Sequence, residues 1–301
     1  MNEFIMLTGL PASGKSEVSE WYRIRGYKIH SSDSLRLELM KDESDQSNNE
    51  EVFKELYRRV KEDLVQGNSV VLDSTNLTAK RRKHTLSLIF TKELKGCEIK
   101  KIVKIVACPY NICVERNKSR DRTVPIHVIE TMYKSWQTPM LQEGFDEIDI
   151  EYTSDVAFDL KKELSTLSKI GQYNKNHTLT IGKHCKKVAR RLKRESKELY
   201  FAGMLHDAGK KFCGRFKDTQ GRVSEDMHFY NHESVSSYDA LFYNLKNIGI
   251  ESQIKISQLI CYHMLPHILK TDKSINKRIK FFGQEFWDEI LTLHESDKRG
   301  R

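Results

Sequence analysis

A glycine-rich turn near the start constrains this chain more than any other feature. Gly9-Leu10-Pro11-Ala12-Ser13-Gly14-Lys15-Ser16 fits G-x-x-x-x-G-K-[ST]; the apolar run Phe4-Ile5-Met6-Leu7 precedes it and helical spacing follows from about residue 17. Glycines let the backbone curl so that successive N–H groups face phosphate oxygens, and the helix behind adds its positive N-terminus. Lys15 then reaches the β and γ phosphates, and the Ser16 hydroxyl ligates Mg²⁺. Gly9, Ser13, Gly14, Lys15 and Ser16 are thus candidate nucleotide contacts.

Residues 3–8 read as a buried strand. A second apolar run near 27–30 ends at Asp33, and residues 34–66 carry helical spacing through Val52, Leu56, Val60 and Leu64. Gly67-Asn68 is a turn before the strand Val70-Val71-Leu72, which closes on Asp73. Residues 79–94 read as a helix, 99–107 as a strand, and 110–120 and 126–136 as helices. Strands alternating with helices predict an α/β domain with a parallel sheet over residues 1–150. After about residue 155 amphipathic helical spacing takes over, predicting an all-α domain over 151–301, with 137–160 as the crossing between them.

Three further pieces bear on the first domain. Asp33 can accept a proton from an attacking hydroxyl, with Arg36 three residues on; it can equally cap the helix that follows. Asp73 ends a strand where a carboxylate supports Mg²⁺. Arg116 and Arg120 lie about one helical turn apart and can fold over a triphosphate, or form a solvated basic face. Together with Val124-Pro125-Ile126 and Met132-Tyr133-Lys134-Ser135, these pieces resemble the kinase domain of the phage-type polynucleotide 5′-kinases over roughly the first half of the chain. The resemblance implies ATP and Mg²⁺ as donor system and a polynucleotide 5′-hydroxyl as acceptor. It makes Asp33 the general base, Arg36 a contact to the acceptor phosphate, and Arg116 and Arg120 lid arginines. Ser74 stands where that pattern has an aspartate directly before Thr-Asn, and Asp73 lies one residue earlier, which leaves the role of Asp73 open.

The second half carries His206-Asp207 at the end of an apolar helical run, followed by Ala208-Gly209-Lys210. An adjacent imidazole and carboxylate can share one metal, or the carboxylate can bridge two. His184, His232, His263 and Asp297 supply further ligands from separate segments. Such a donor set suits a divalent transition metal (Mn, Ni, Co or Fe) or Mg²⁺. The metal would activate water and polarise a phosphate ester, with Lys210 stabilising charge on the phosphate. The order H…HD…H…H…D resembles the HD phosphohydrolase superfamily over about 170–301. His177 competes with His184 as first ligand, and His228 and His267 compete with His232 and His263. The segment from Lys183 to Arg194 is densely basic around His184; it can track a phosphate backbone or form a solvated face.

The net charge of +9 and pI near 9.1 favour a polyanionic partner, nucleic acid before an anionic membrane, or reflect a lysine-rich proteome. Six cysteines without a C-x-x-C pair read as reduced thiols of a cytoplasmic protein, and the resemblance to the phage-type kinases implies a bacterial or phage-infected cell. No signal peptide is read ahead of the first strand, and no stretch approaches the ~18 apolar residues that span a bilayer. The two resemblances jointly imply an enzyme that heals RNA or DNA ends, a 5′-kinase fused to a 2′,3′-cyclic phosphate and 3′-phosphate hydrolase, with an RNA ligase acting downstream. A small-molecule kinase (nucleoside or sugar) fused to an HD nucleotidase is the alternative expectation, and an HD domain that senses nucleotides and regulates the kinase is the third.

Overall fold

The computed structural model describes residues 1–43, 45–175 and 178–300; His177 lies outside them. By its internal contacts the chain divides into two units, Met1–Met132 with Pro139–Asp155, and Tyr133–Thr138 with Val156–Arg301. Among the described residues no helix is long and apolar enough to cross a membrane.

The first unit runs β1 (Asn2–Thr8), α1 (Lys15–Ile24), β2 (Lys28–Ser31), α2 (Ser32–Met40), α3 (Asn49–Val65), β3 (Val70–Asp73), α4 (Ala79–Ile89), β4 (Ile99–Ala107), α5 (Tyr110–Lys118), α6 (Ile126–Lys134, whose last residues enter the second unit) and β5 (Glu147–Tyr152). Its five strands are all parallel, in the order β2-β3-β1-β4-β5. β1 lies at the centre, and Phe4, Ile5, Met6 and Leu7 are fully buried because helices cover both faces of a parallel sheet. Phe4 and Met6 pack with Val52, Leu56, Val60 and Leu64 on one face. Ile5 and Leu7 pack with Tyr22, Val71 and Val106 on the other. The carboxyl ends of β1, β3 and β4 meet where the strand order reverses, which is where such sheets bind ligands.

Two expectations need correction. The helical stretch read over 34–66 is two helices: Lys41 adopts a left-handed backbone (φ 62°) that ends α2. No apolar residue stands in 41–48 to bury a helix face. The crossing read over 137–160 contains β5, an edge strand. Its charged positions hid it from an apolar-run reading, yet they make cross-strand ion pairs, Lys104 with Asp149 and Lys100 with Glu147, both at 2.5 Å.

The second unit runs α7 (Leu160–Leu167), α8 (Ile181–Leu192), α9 (Lys197–Leu205), α10 (Lys210–Cys213), β6 (Arg215–Lys217), β7 (Val223–His228), α11 (His232–Ala240), α12 (Ile250–Tyr262), α13 (Leu265–Ile268), α14 (Asp272–Phe282) and α15 (Gln284–Lys298). It is helical, with one small antiparallel hairpin, β6-β7, that the periodicity did not reveal. Ile181, Cys185, Val188, Ala189 and Leu192 form the buried stripe of α8, at the spacing of one helix face. Trp136 is fully buried against Tyr238, and Thr138 Oγ1 lies 2.7 Å from Ser257 Oγ, so residues 133–138 help build this core.

A buried carboxyl here makes stability depend on pH. The Tyr133 hydroxyl donates to Asp239 Oδ1 at 2.5 Å. Burial pushes the Asp239 carboxyl up to about 6, with the Tyr133 hydrogen bond acting the other way. The folded state therefore holds this proton to higher pH than the unfolded chain. Its contribution is present below about pH 4 and lost as pH rises through about 6, a change of about 3 kcal/mol. Asp239→Asn removes that titration. The unfolding free energy of the variant relative to wild type should increase from pH 4 to 7, and a pH-independent difference would exclude Asp239 as the source.

Candidate active sites

The first site forms where β1 runs into the glycine turn. A Cβ on Gly9 would lie 2.6 Å from the Val106 carbonyl oxygen and 2.7 Å from Ser13 Oγ, so only glycine fits beneath the loop. Gly14 has φ 95°, the left-handed region open to glycine, and caps α1. Lys15 Nζ donates to the carbonyls of Leu10 (2.7 Å) and Gly9 (3.2 Å). Burial lowers the pKa of Lys15, with Asp73 and Asp33 opposing. Asp73 is raised by burial, with Lys15 opposing, and accepts a hydrogen bond from Ser19 Oγ at 3.1 Å. Ser16 is exposed in the first turn of α1, and Ser13 Oγ is buried without a hydrogen-bond partner.

Asp33, half-exposed in the first turn of α2, is flanked by two guanidinium groups. Arg36 Nη1 donates to its Oδ1 at 2.7 Å, and Arg122 Nη1 stands 3.5 Å from its Oδ2. Arg36 is itself buried, held by Asn49 Oδ1 at 3.0 Å and the Glu43 carbonyl at 3.3 Å. Arg120 is exposed, yet its charge bears on both Lys15 and Asp73. Arg116 is engaged elsewhere: it donates to the Thr153 carbonyl at 2.6 Å, and Thr153 Oγ1 donates to the Ser13 carbonyl at 2.6 Å. It thus braces the loop from behind β5. Thr153 and Arg122 were not singled out as site residues from the sequence, because only the fold brings them to the loop and to Asp33.

One further brace had no sequence signal. Arg82 and Glu143, both fully buried, form a two-pronged ion pair at 2.6 and 2.7 Å. Arg82 Nη1 also donates to the Asn76 carbonyl at 3.0 Å, and Thr8 Oγ1 donates to the same oxygen at 3.0 Å. Gly9 N donates to the Thr75 carbonyl at 3.2 Å. The pair fixes the segment on which the glycine turn rests.

The second site gathers residues from α8, α9, α11, α12 and α15. His184, His206, Asp207, His232, His263 and Asp297 are all buried. Ligand atoms of His184, His206 and Asp207 lie within 4.8 Å of one another, as do those of Asp207, His232 and His263. Asp207 belongs to both triads. Its Oδ2 is 3.4 Å from His184 Nε2 and 3.5 Å from His206 Nε2, and its Oδ1 is 3.1 Å from His232 Nε2. Asp297 Oδ1 lies 3.0 Å from His184 Nε2.

The helices set the protonation of this cluster. Nδ1 of His206, His232 and His263 faces the backbone carbonyls of Gly203, Phe229 and Ile260 at 3.0, 2.7 and 2.7 Å. A carbonyl only accepts, so each Nδ1 donates a proton outward and each ring turns its Nε2 toward the cluster. His184 and His206 present their Nε2 atoms to each other at 3.2 Å. Burial acts against charge on His206, but Asp207 and Asp297 outweigh it and raise its pKa. Burial drives His263 well below the ordinary histidine value, helped by His206 and His232. Burial acts to raise Asp207, yet Lys210, His206 and His232 hold it well below the carboxylate range. Converging lone pairs and ionised carboxylates fit a divalent cation.

Lys210 Nζ sits 2.7 Å from Asp207 Oδ2 and donates to Gln172 Oε1 at 2.8 Å. Gly209 is required for space, since a Cβ there would lie 2.5 Å from the His232 carbonyl oxygen. Of the competing histidines, His228 is in β7, 3.0 Å from Ser224 Oγ, and is not among the clustered ligands. His267 lies 3.4 Å from Asp297 Oδ2, at the edge of the cluster.

Residues 4–139 match the family model of an AAA domain, and residues 175–291 match that of the HD domain. The curated L-seryl-tRNA(Sec) kinase of Methanococcus maripaludis is 27% identical over 182 residues, 57% of this chain and 67% of that protein. Among solved structures, a gluconokinase from Sinorhizobium meliloti 1021 is 16% identical, covering 51% of this chain and 83% of its own, with a TM-score of 0.36. The Pnkp1/Rnl/Hen1 RNA repair complex holds a chain 21% identical, covering 44% of this chain and 42% of its own, with a TM-score of 0.38. The chain thus joins a P-loop kinase-type domain to an HD domain.

Proposed function

We propose that this P-loop and HD pair heals broken RNA ends, phosphorylating a 5′-hydroxyl with ATP and hydrolysing a 2′,3′-cyclic phosphate or 3′-phosphate. The observation that carries the kinase half is the surrounding of Asp33, a half-exposed carboxylate between Arg36 and Arg122 and close enough to influence Lys15. A base alone would serve any alcohol. Two guanidinium groups beside it suit an acceptor that already bears a phosphodiester. The curated relative is named as a kinase of an aminoacylated tRNA, an acceptor carried on RNA, and the charge of +9 favours the same class of partner.

In this reading the backbone N–H groups of the glycine turn and Lys15 cradle the β and γ phosphates, and Arg120 offsets charge as the γ-phosphoryl group moves. Ser16 and Asp73 hold Mg²⁺. Asp33 accepts the proton of the 5′-hydroxyl as its oxygen attacks phosphorus, while Arg36 and Arg122 hold the acceptor phosphate. In the HD domain His184, His206, Asp207, His232, His263 and Asp297 would hold a divalent cation. A cation there supplies an activated water and polarises the phosphate ester. Lys210, fixed by Asp207 and Gln172, neutralises charge on the non-bridging oxygens.

The test is an RNA oligonucleotide with a 5′-hydroxyl and a 2′,3′-cyclic phosphate, incubated with ATP, Mg²⁺ and Mn²⁺, with both product ends resolved. Asp33→Asn should lower 5′ phosphorylation about 10²–10⁴-fold and leave 3′ hydrolysis unchanged. Wild-type protein that alters neither end but turns over free nucleosides or nucleotides would overturn the reading in favour of a small-molecule enzyme.

A further inference from the structure

The hairpin ahead of His232 and the loop before α8 each carry an exposed aromatic ring that the cores do not absorb. Phe216, in β6, is 45% exposed, and Tyr173, in the loop before α8, is 66% exposed. Their rings face each other at 6.4 Å, tilted by 45°. Tyr173 is anchored by its backbone: its carbonyl accepts from Met227 N at 2.9 Å, and its φ is 40°, a left-handed conformation costly for a residue with a side chain. Apolar rings held out in water by hydrogen bonds and strain call for a ligand with a flat face.

The position of the pair selects the ligand. Gln172, next to Tyr173, accepts from Lys210, which pairs with Asp207 in the metal cluster. The other strand of the hairpin leads through Phe229, whose carbonyl faces His232 Nδ1 and whose ring lies 5.3 Å from Lys210 Nζ. On either side of Phe216, Arg215 and Lys217 are exposed, and neither has a carboxylate within ion-pair distance among the described residues. Exposed rings next to Lys217 and to Arg215, which itself lies over the Tyr230 ring at 5.1 Å, make a base-stacking platform with electrostatic attraction for a phosphate backbone.

We infer that Tyr173 and Phe216 stack the terminal unpaired bases of a single-stranded RNA and so present its 3′ end to the HD metal site. This rests on the end-healing reading above and adds the residues that recognise the strand. Stacking is worth about 1–3 kcal/mol per base, so Tyr173→Ala with Phe216→Ala should raise KM for 3′-end hydrolysis of an oligonucleotide by at least about 30-fold. kcat should hold, as should hydrolysis of bis(p-nitrophenyl) phosphate, which has no base. Tyr173→Phe should restore most of the affinity, since it keeps the ring.

A second measurement does not depend on turnover. An oligonucleotide with 4-thiouridine at its 3′ end, irradiated with the full-length protein, should crosslink to the peptides holding Tyr173 or Phe216. Unchanged KM in the double variant, or crosslinks only at other peptides, overturns the platform. Failure of wild-type protein to hydrolyse either substrate sinks the phosphohydrolase reading instead, and the crosslink still decides where the 3′ end lies.

Discussion

Asp207→Ala is expected to lower 3′-end hydrolysis by at least about 10³-fold in kcat, because Lewis-acid activation at a bound metal is worth several kcal/mol. 5′ phosphorylation should be unchanged. The carboxylate is the one group common to both ligand triads, so its loss weakens every cation the cluster can hold. Its removal also takes the carboxylate from the buried Lys210 ammonium, leaving it the Gln172 oxygen, which costs up to about 3–5 kcal/mol of stability. Asp207→Asn separates the two effects, since its amide oxygen can still accept from Lys210 while the charge is gone. Metal content by mass spectrometry should fall in both variants, with the melting temperature largely kept in Asp207→Asn. If both variants retain wild-type metal content and hydrolysis, the cluster is not the metal centre.

Much of the site was legible because its chemistry is local in sequence. The glycine turn, its lysine and serine, and the His-Asp-Ala-Gly-Lys segment announce themselves within a few residues, and the two expected domain types were met by the fold. The fold brings His184, His206, Asp207, His232, His263 and Asp297 into one buried cluster, with His267 at its edge and His228 apart from it, and His177 lies outside the described residues. What the sequence concealed depends on distance along the chain. Arg122 reaches Asp33 from 89 residues away, and Thr153 reaches Ser13 from 140 away. β5 was hidden because an edge strand alternates Glu147, Asp149 and Glu151 with only two isoleucines, and its charges read as surface until their lysine partners on β4 are seen. The hairpin was hidden because three- and six-residue strands carry too little periodicity to register.

Arg82→Ala should carry a large stability cost in the first unit. The pair with Glu143 is wholly removed from water, and deleting one partner leaves an uncompensated buried charge, worth about 3–5 kcal/mol. At about 2–4 °C per kcal/mol for a domain of this size, the melting temperature should drop by about 6–20 °C. Because Arg82 also holds the Asn76 carbonyl beneath the glycine turn, KM for ATP should rise in the protein that remains folded. Replacing both partners, Arg82→Met with Glu143→Leu, should recover most of the melting temperature, since an apolar pair of similar volume leaves no charge unpaired. It should not recover KM, because the hydrogen bond to Asn76 stays lost. A single variant that melts with wild type would assign the pair no net role.

The path of the chain through residues 133–155 has a consequence for synthesis. Trp136 and Thr138 leave the ribosome before β5 does, yet they belong to a core whose other members, Tyr238 and Ser257, are translated about a hundred residues later. The parallel sheet cannot add its last strand until residue 152 has emerged, and a buried tryptophan then waits in water for its surroundings to be made. Long-range closure of this kind slows folding and prolongs exposure of apolar surface. During synthesis, then, Trp136 stays exposed for the whole interval between its own emergence and that of Tyr238.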